Sequence, residues 1–231
     1  MSFQKVSVSE AIDRRMSVRA FLPDPVSLET VREILDVARR SPSGGNLQPW
    51  NLDVLAGDPL EEFKALIAQR TAAGIVETQR YAVYPPDLWA PLSTYRDMTG
   101  KALYGTIGIA RGDEAGRARQ FAENFRFFDA PVAIFLSLDR RCGSAQWADL
   151  GMFMQTIMLL AIERGLDTCP QECWYRWPDS IAEFLGYDEN RLFWACIALG
   201  KRDPDAPING FRSPRAAIDD FTRFHGFQTE A

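Results

Sequence analysis

The chain predicts an α+β fold, on three observations. Its elements follow a mixed order, rich in helices and poor in strands. Val132–Leu138 and Arg191–Leu199 are nearly unbroken apolar runs, the pattern of strands buried on both faces. Neither an internal repeat nor a clean linker interrupts the 231 residues, enough for a proper core, so 1–231 reads as one domain.

Val6–Met16 predicts the first helix, with Val8, Ala11, Ile12 and Arg15 at helical spacing. Ser27–Arg40 is the clearest helix. Ser27 can cap it, Glu29 lies in the first turn, Arg39 and Arg40 in the last, and Leu28, Val31, Leu35 and Ala38 form one stripe. The loop Ser41–Trp50 leads to a short alternating strand, Asn51–Leu55. Glu61–Thr71 reads as a helix with Phe63, Leu66 and Ile67 inward. Ala73–Gly116 is the least regular part. Its stretch Tyr81–Pro91 mixes prolines with aromatics and cannot be a continuous helix, whereas Thr94–Ile107 turns helical. Such a long excursion fits a segment that covers a pocket or one that packs against another subunit.

Arg117–Phe128 predicts a helix ending in an aromatic pair, before the strand Val132–Leu138. Asp149–Arg164 is apolar almost all round, so it is buried in a core or in an extensive subunit interface, and Gly165 ends it. Thr168–Trp174 reads as a connection to a helix near Pro178–Leu185. Arg191–Leu199 follows as a strand, Gly200-Lys201-Arg202 opens a polar loop, and Ala216–Phe224 predicts a last helix.

Composition excludes several functions. A net charge of -5 argues against nucleic acid as partner. The sequence shows no apolar run long enough for a bilayer and no signal-peptide pattern at its N-terminus. Cys142, Cys169, Cys173 and Cys196 form no disulfide framework, which points to a reducing cytoplasm. His225 is the single histidine, so a His-rich metal site is impossible and a hydrolase of the serine or cysteine type is disfavoured. No Gly-x-Gly-x-x-Gly follows a strand, so nicotinamide binding would be transient rather than of the dinucleotide-fold kind.

Two stretches carry chemistry. Arg14, Arg15, Ser17 and Arg19 crowd together at a helix end. They suit either a solvated basic end facing the helix dipole or a site for an anion, since unpaired cations this close repel one another. Ser41–Trp50 carries adjacent glycines between Pro42 and Pro49, with Asn46, Gln48 and Trp50 beside them. It is a tight turn, or a loop whose main chain closely approaches a ligand. Cys169 and Cys173 alone make a poor zinc site, and the methionines of Asp149–Arg164 read as packing.

Taken in order, five motifs resemble the nitroreductase family, most closely its nitrobenzoate reductase branch. They are Arg15-Met16-Ser17-Val18-Arg19; Pro42 to Trp50; Asn124 through Phe128-Asp129-Ala130-Pro131; Gly165 to Glu172 after the long buried helix; and the Arg212/Arg215 tail. The resemblance implies a nitroreductase-like fold with a central mixed sheet flanked by helices, in a domain-entwined homodimer with FMN at the subunit interface. Arg15, Met16, Ser17 and Arg19 would hold the flavin's phosphate, ribityl chain and ring edge. Pro42, Ser43, Gly44 and Asn46 would come from the other subunit. Asn124 or Arg126 would address the pyrimidine side, and Pro170, Gln171 and Glu172 the ring, with the Glu172 backbone N–H near N5. Arg212 and Arg215 would complete the phosphate site. Met16 stands where a polar or basic residue is more usual. Cys173 follows Glu172 where a glycine often sits, which would alter the floor of the substrate pocket.

The implied activity is ping-pong hydride transfer from NAD(P)H through FMN to a small aromatic acceptor, a nitroarene going to nitroso and hydroxylamine. No side-chain nucleophile is needed, and an arginine near the reduced flavin's anionic edge would stabilise it. The competing readings are a related flavin reductase acting on quinones, activated alkenes or halophenols, and a non-catalytic flavin-binding dimer.

Overall fold

The computed structural model describes residues 6–227, so the outermost residues of the span read as one domain lie outside the described residues. The elements are α1 (Val8–Arg14), α2 (Leu28–Ala38), β1 (Asn51–Ala56), α3 (Asp58–Ala72), α4 (Leu92–Gly105), α5 (Glu114–Ala122), β2 (Val132–Asp139), α6 (Ser144–Glu163), β3 (Asp167–Gln171), α7 (Pro178–Leu185), β4 (Arg191–Gly200) and α8 (Ile218–Phe221).

The four strands lie in the order β1-β2-β4-β3, and every pair is antiparallel. Among the described residues the parallel component expected of a mixed sheet is confined to one bridge, Ser17 to Thr168, on the outer edge of β3. Side chains alternate across β2 and divide the core. Ala133 and Phe135 join Phe63, Phe127, Trp174 and Phe193 on one face. Val132, Ile134 and Leu136 pack with Ile34, Phe153, Ile157 and Ile197 on the other, beneath α2 and α6. Trp50 stacks on Phe153 at 4.5 Å, which clamps the end of the Ser41–Trp50 loop to α6.

Ser27 caps α2 as expected, its side chain accepting from the Thr30 N–H. The stripe on α2 is Val31, Ile34 and Ala38, whereas Leu28 is exposed because it precedes the turn that meets the sheet. On α3 Leu60 joins Phe63 and Ile67 in the core. The helix predicted over Arg117–Phe128 stops at Ala122 and tightens into a 3-10 segment, Glu123–Asp129. There Phe127, Phe128 and Asp129 adopt positive φ, which turns both rings inward. Thr168–Trp174 is not mere connection, since Asp167–Gln171 pairs along β4. The last helix shrinks to Ile218–Phe221.

Helix α6 starts earlier than Asp149 and is long and apolar enough, by length and composition alone, to cross a bilayer. A buried core helix meets the same measure. The inward residues of α6, Leu150, Phe153, Ile157 and Ala161, pack in the core, while Met152 is exposed.

Candidate functional site

Helix α1 ends at Arg14, Arg15 caps it in an extended conformation, and the chain then runs along the edge of β3. The Val18 N–H donates to the Thr168 carbonyl at 3.0 Å, and the Arg19 N–H donates to Asn209 Oδ1 at 2.8 Å. Asn209 in turn donates to the carbonyls of Ala20 and Asp203, so the 203–209 loop holds the far end of the segment. Met16 is buried, and its thioether accepts from Arg202 Nη1 at 3.3 Å.

This path gathers charges that are far apart in sequence. The Arg15 guanidinium is half-buried, and its pKa is lowered by desolvation, then by Arg215 and Arg212. Cys169 lies within electrostatic reach of Arg19 and Arg15, although burial prevails and pushes its thiol up to about 11. Among the described residues no carboxylate pairs with Arg15, Arg19 or Arg215, and Arg212 has Asp13 at 3.7 Å on the surface. The Thr168 hydroxyl, bridged through its backbone to Ser17, is buried without a partner. Cations without a carboxylate partner at Arg15 and Arg215, together with an orphaned hydroxyl on the strand that Ser17 bridges, are the donor set of an anion site with a polar chain attached. They suit the phosphate and ribityl groups of FMN.

At the other end of β3, Gln171 is buried. Its amide nitrogen donates to the Asn124 carbonyl at 2.9 Å and to Asn124 Oδ1 at 3.3 Å, and Asn124 Nδ2 donates to the Phe121 carbonyl. Asn124 therefore belongs to the β3 end of the site. Arg126 does not join it: the side chain is exposed and pairs with Asp129 at 2.7 Å and Glu123 at 3.6 Å. Two acids one helical turn away draw it outward, and their hydrogen bond and charge raise its pKa.

Pro170 and Glu172 flank Gln171. Glu172 opens onto a cleft of about 500 Å³ lined also by Tyr81, Val83, Cys142, Trp147 and Trp194. Partial desolvation raises the Glu172 carboxyl pKa. Trp194 sits at an irregularity in the β2–β4 register, and its carbonyl accepts from the Tyr81 hydroxyl. Burial raises the Tyr81 phenol pKa, so it remains a donor. Glu77 fixes the same leg of the excursion by accepting from the Asp179 and Ser180 N–H groups at the start of α7. Cys173 and Cys196 lie below, their thiols raised by burial. Among the described residues no group of His, Cys, Asp or Glu is arranged to hold a metal ion.

The Pro42–Asn46 stretch lies elsewhere. Ser43 Oγ accepts from the Gln48 N–H, the Gly44 N–H points to Asp149, and Gly45 and Asn46 take positive φ on an exposed loop. Asp149 lies in the first half of α6. Ile162, near its end, borders a second cleft of about 350 Å³ with Arg14, Asp167, Arg202 and Arg212. At about 1.5 Å per residue these two points of α6 are roughly 20 Å apart. Within one chain, then, Pro42, Ser43, Gly44 and Asn46 do not join the arginines.

Sequence reasoning did not single out Tyr81, Trp147, Trp194 or Cys142 as cleft residues, nor the pair Asp167–Arg202. The aromatic density of Tyr81–Trp89 was a usable signal for the first. Nothing local marks Asp167.

The Nitroreductase family model matches residues 12–201. A 4-nitrobenzoate reductase of Pseudomonas putida is 39% identical over 213 residues, 92% of this chain and 93% of that protein. The crystal structure of an FMN and NADPH-dependent nitroreductase, NfnB, from Sphigopyxis sp. strain HMH has a TM-score of 0.93 at 41% identity, covering 96% of this chain and 100% of that one. The FMN-dependent NfnB of Mycobacterium smegmatis, solved with NADPH, gives 0.88 at 31% identity over 95% and 100%.

Proposed function

The chain belongs to the nitroreductase family, and from that premise we propose that it is an FMN-dependent NAD(P)H oxidoreductase that reduces nitroaromatic compounds. The observation that carries the reading is that Arg15 feels the charges of Arg215 and Arg212 while, among the described residues, no carboxylate pairs with Arg15 or Arg215. FMN, when bound, supplies the centre that accepts hydride from the nicotinamide and donates it to the nitro group.

The chain's own residues bind and orient. Arg15, Arg212 and Arg215 neutralise the phosphate, and Ser17, Arg19 and the Thr168 hydroxyl offer polar contacts along the edge of β3. The Asn124–Gln171 pair holds the end of β3 rigid, so that Pro170 and Glu172 keep their place beside the ring. Tyr81, Trp147 and Trp194 give the cleft flat apolar walls for an aromatic acceptor. Glu172 disfavours a second negative charge close by.

The proposal includes a homodimer and one FMN-binding domain over 1–231. The separation along α6 supports the first, because the Ser43–Asn46 loop of a second copy would complete the site. Four free cysteines support a cytoplasmic home.

Purified protein should be yellow and should release FMN, identified by mass, on heating. It should oxidise NADPH or NADH when nitrobenzene is added, and light scattering should give a dimer across dilution. A colourless protein whose arginine cluster takes up no FMN on titration would end the reading.

A further inference from the structure

Arg202 differs from Arg15, Arg19 and Arg215 in that, among the described residues, its guanidinium is paired with a carboxylate. Nε and Nη2 both reach the carboxylate of Asp167, Nε at 2.9 Å, and the Arg202 N–H points to the same carboxylate. Nη1 donates to Met16 Sδ at 3.3 Å, and Nη2 also donates to the Arg14 carbonyl at 3.4 Å. Asp167 is buried, and the fork-on-carboxylate geometry holds both planes fixed. The hydrogen bond to Asp167 raises the Arg202 pKa.

The two outward contacts fall on Arg14 and Met16, the residues on either side of Arg15. We propose that Asp167–Arg202 is a positioning pair for the cofactor phosphate, fixing the backbone so that Arg15 is held beside Arg212 and Arg215. This rests on the reading of that cluster as the FMN phosphate site. Downstream the segment is already fastened by Ser17 to Thr168 and by Leu22 to Lys201. At its start, α1 has just ended and the last helical bond is that of the Arg15 N–H to Ala11; Arg212 reaches the Asp13 carbonyl, and the side chain of Arg202 holds the Arg14 carbonyl and the Met16 thioether on either side of Arg15. Asp167 is also the first residue of β3, whose other end carries Gln171 and leads to Glu172. One strand thus connects the phosphate end of the site with the ring end.

Arg202 is not itself a phosphate ligand. A phosphate would have to displace a buried carboxylate already bound by two nitrogens, and that carboxylate would repel it.

A thermodynamic cycle on FMN affinity tests the proposal. Arg202→Lys keeps the charge and a bond to Asp167, but one ammonium cannot also span Met16 and the Arg14 carbonyl. FMN is titrated into the apo forms of wild type, Arg202→Lys, Arg15→Ala and the double variant, followed by flavin fluorescence, with apo melting curves in parallel. Affinity should fall about tenfold in Arg202→Lys, and the substitution should add almost nothing once Arg15 is gone. The same fold-loss on both backgrounds would mean a direct ligand or a general structural role, and would overturn the proposal, as would wild-type affinity in Arg202→Lys. Should Arg202→Lys fail to fold, Asp167→Asn, which keeps the shape and removes the charge, carries the same cycle. Wild type that binds no FMN would overturn the functional reading itself, and this proposal with it.

Discussion

Arg15→Ala should separate folding from cofactor binding, because the two effects have opposite signs. In the apo protein the Arg15 guanidinium is half-buried, and desolvation, Arg215 and Arg212 all lower its pKa. A base whose folded pKa lies below its unfolded value is charged at a cost to the fold, and the cost is fully present at every pH below the folded pKa. Neutral pH is well inside that window. Truncation removes the cost, so the apo melting temperature should stay the same or rise. Phosphate binding loses one charge-assisted contact of about 1.5–3 kcal/mol, which is a ten- to hundredfold loss of FMN affinity. Arg14→Ala is the internal comparison. Its side chain makes one exposed pair, with Glu10 at 3.5 Å, worth at most about 0.5 kcal/mol, and should leave FMN affinity unchanged. Fluorescence titration of apo-protein with FMN and thermal melting of both apo forms give the two readouts. Unchanged FMN affinity together with a lower apo melting temperature would refute the reasoning, because it would make Arg15 a structural residue.

Three further outcomes are expected. Inorganic phosphate should raise the apo melting temperature more than chloride at equal ionic strength, since it binds the arginine cluster instead of only screening it, and Arg15→Ala should abolish the difference. Gly200→Ala should destabilise by about 1–3 kcal/mol in denaturant titration, because an added Cβ would lie 2.6 Å from Pro131 Cδ and 3.2 Å from Phe21 Cδ1 where the N-terminal segment crosses β4. In native protein at pH 8, peptide mass mapping should find iodoacetamide on Cys142 first. Cys169, with its thiol pushed up to about 11 by burial, and Cys196, raised for the same reason, should react only after unfolding.

What the sequence reveals of the fold follows the strength of its periodicity. Val132–Leu138 is legible because both faces are buried, so every position but Ser137 is apolar. Ser27 and the α2 stripe are legible because cap and amphipathicity agree. Strand β3 is hidden: it is short, contains Pro170, and alternates charged, polar and small residues whose burial depends on neighbours contributed by other elements. The end of the Arg117–Phe128 helix is hidden as well. Positive φ at Phe127 and Phe128 is intrinsically unfavourable, and what secures it is tertiary packing: the Phe127 ring lies against Phe63, Phe135 and Trp174, and Phe128 is buried in the same core.

The site divides the same way. Arg15, Ser17 and Arg19 could be picked out because crowded cations look anomalous in any context. The choice between Asn124 and Arg126 could not be made from spacing, since it turns on the acids nearby. Arg126 has Glu123 and Asp129 within one turn and is drawn to solvent, whereas Asn124, uncharged, is free to meet Gln171 across the fold. Asp167 shows the limit most clearly. An aspartate at the start of a strand has no local signature, and Arg202 looks like one more basic residue of a polar loop. Their meaning arises only when β3 and β4 pair and place Asp167 opposite Gly200, two residues from Arg202, with the Arg14 carbonyl and Met16 thioether beside them. Residues that bind a ligand carry unusual chemistry in the sequence itself; residues that aim those ligands are ordinary until the chain has folded around them.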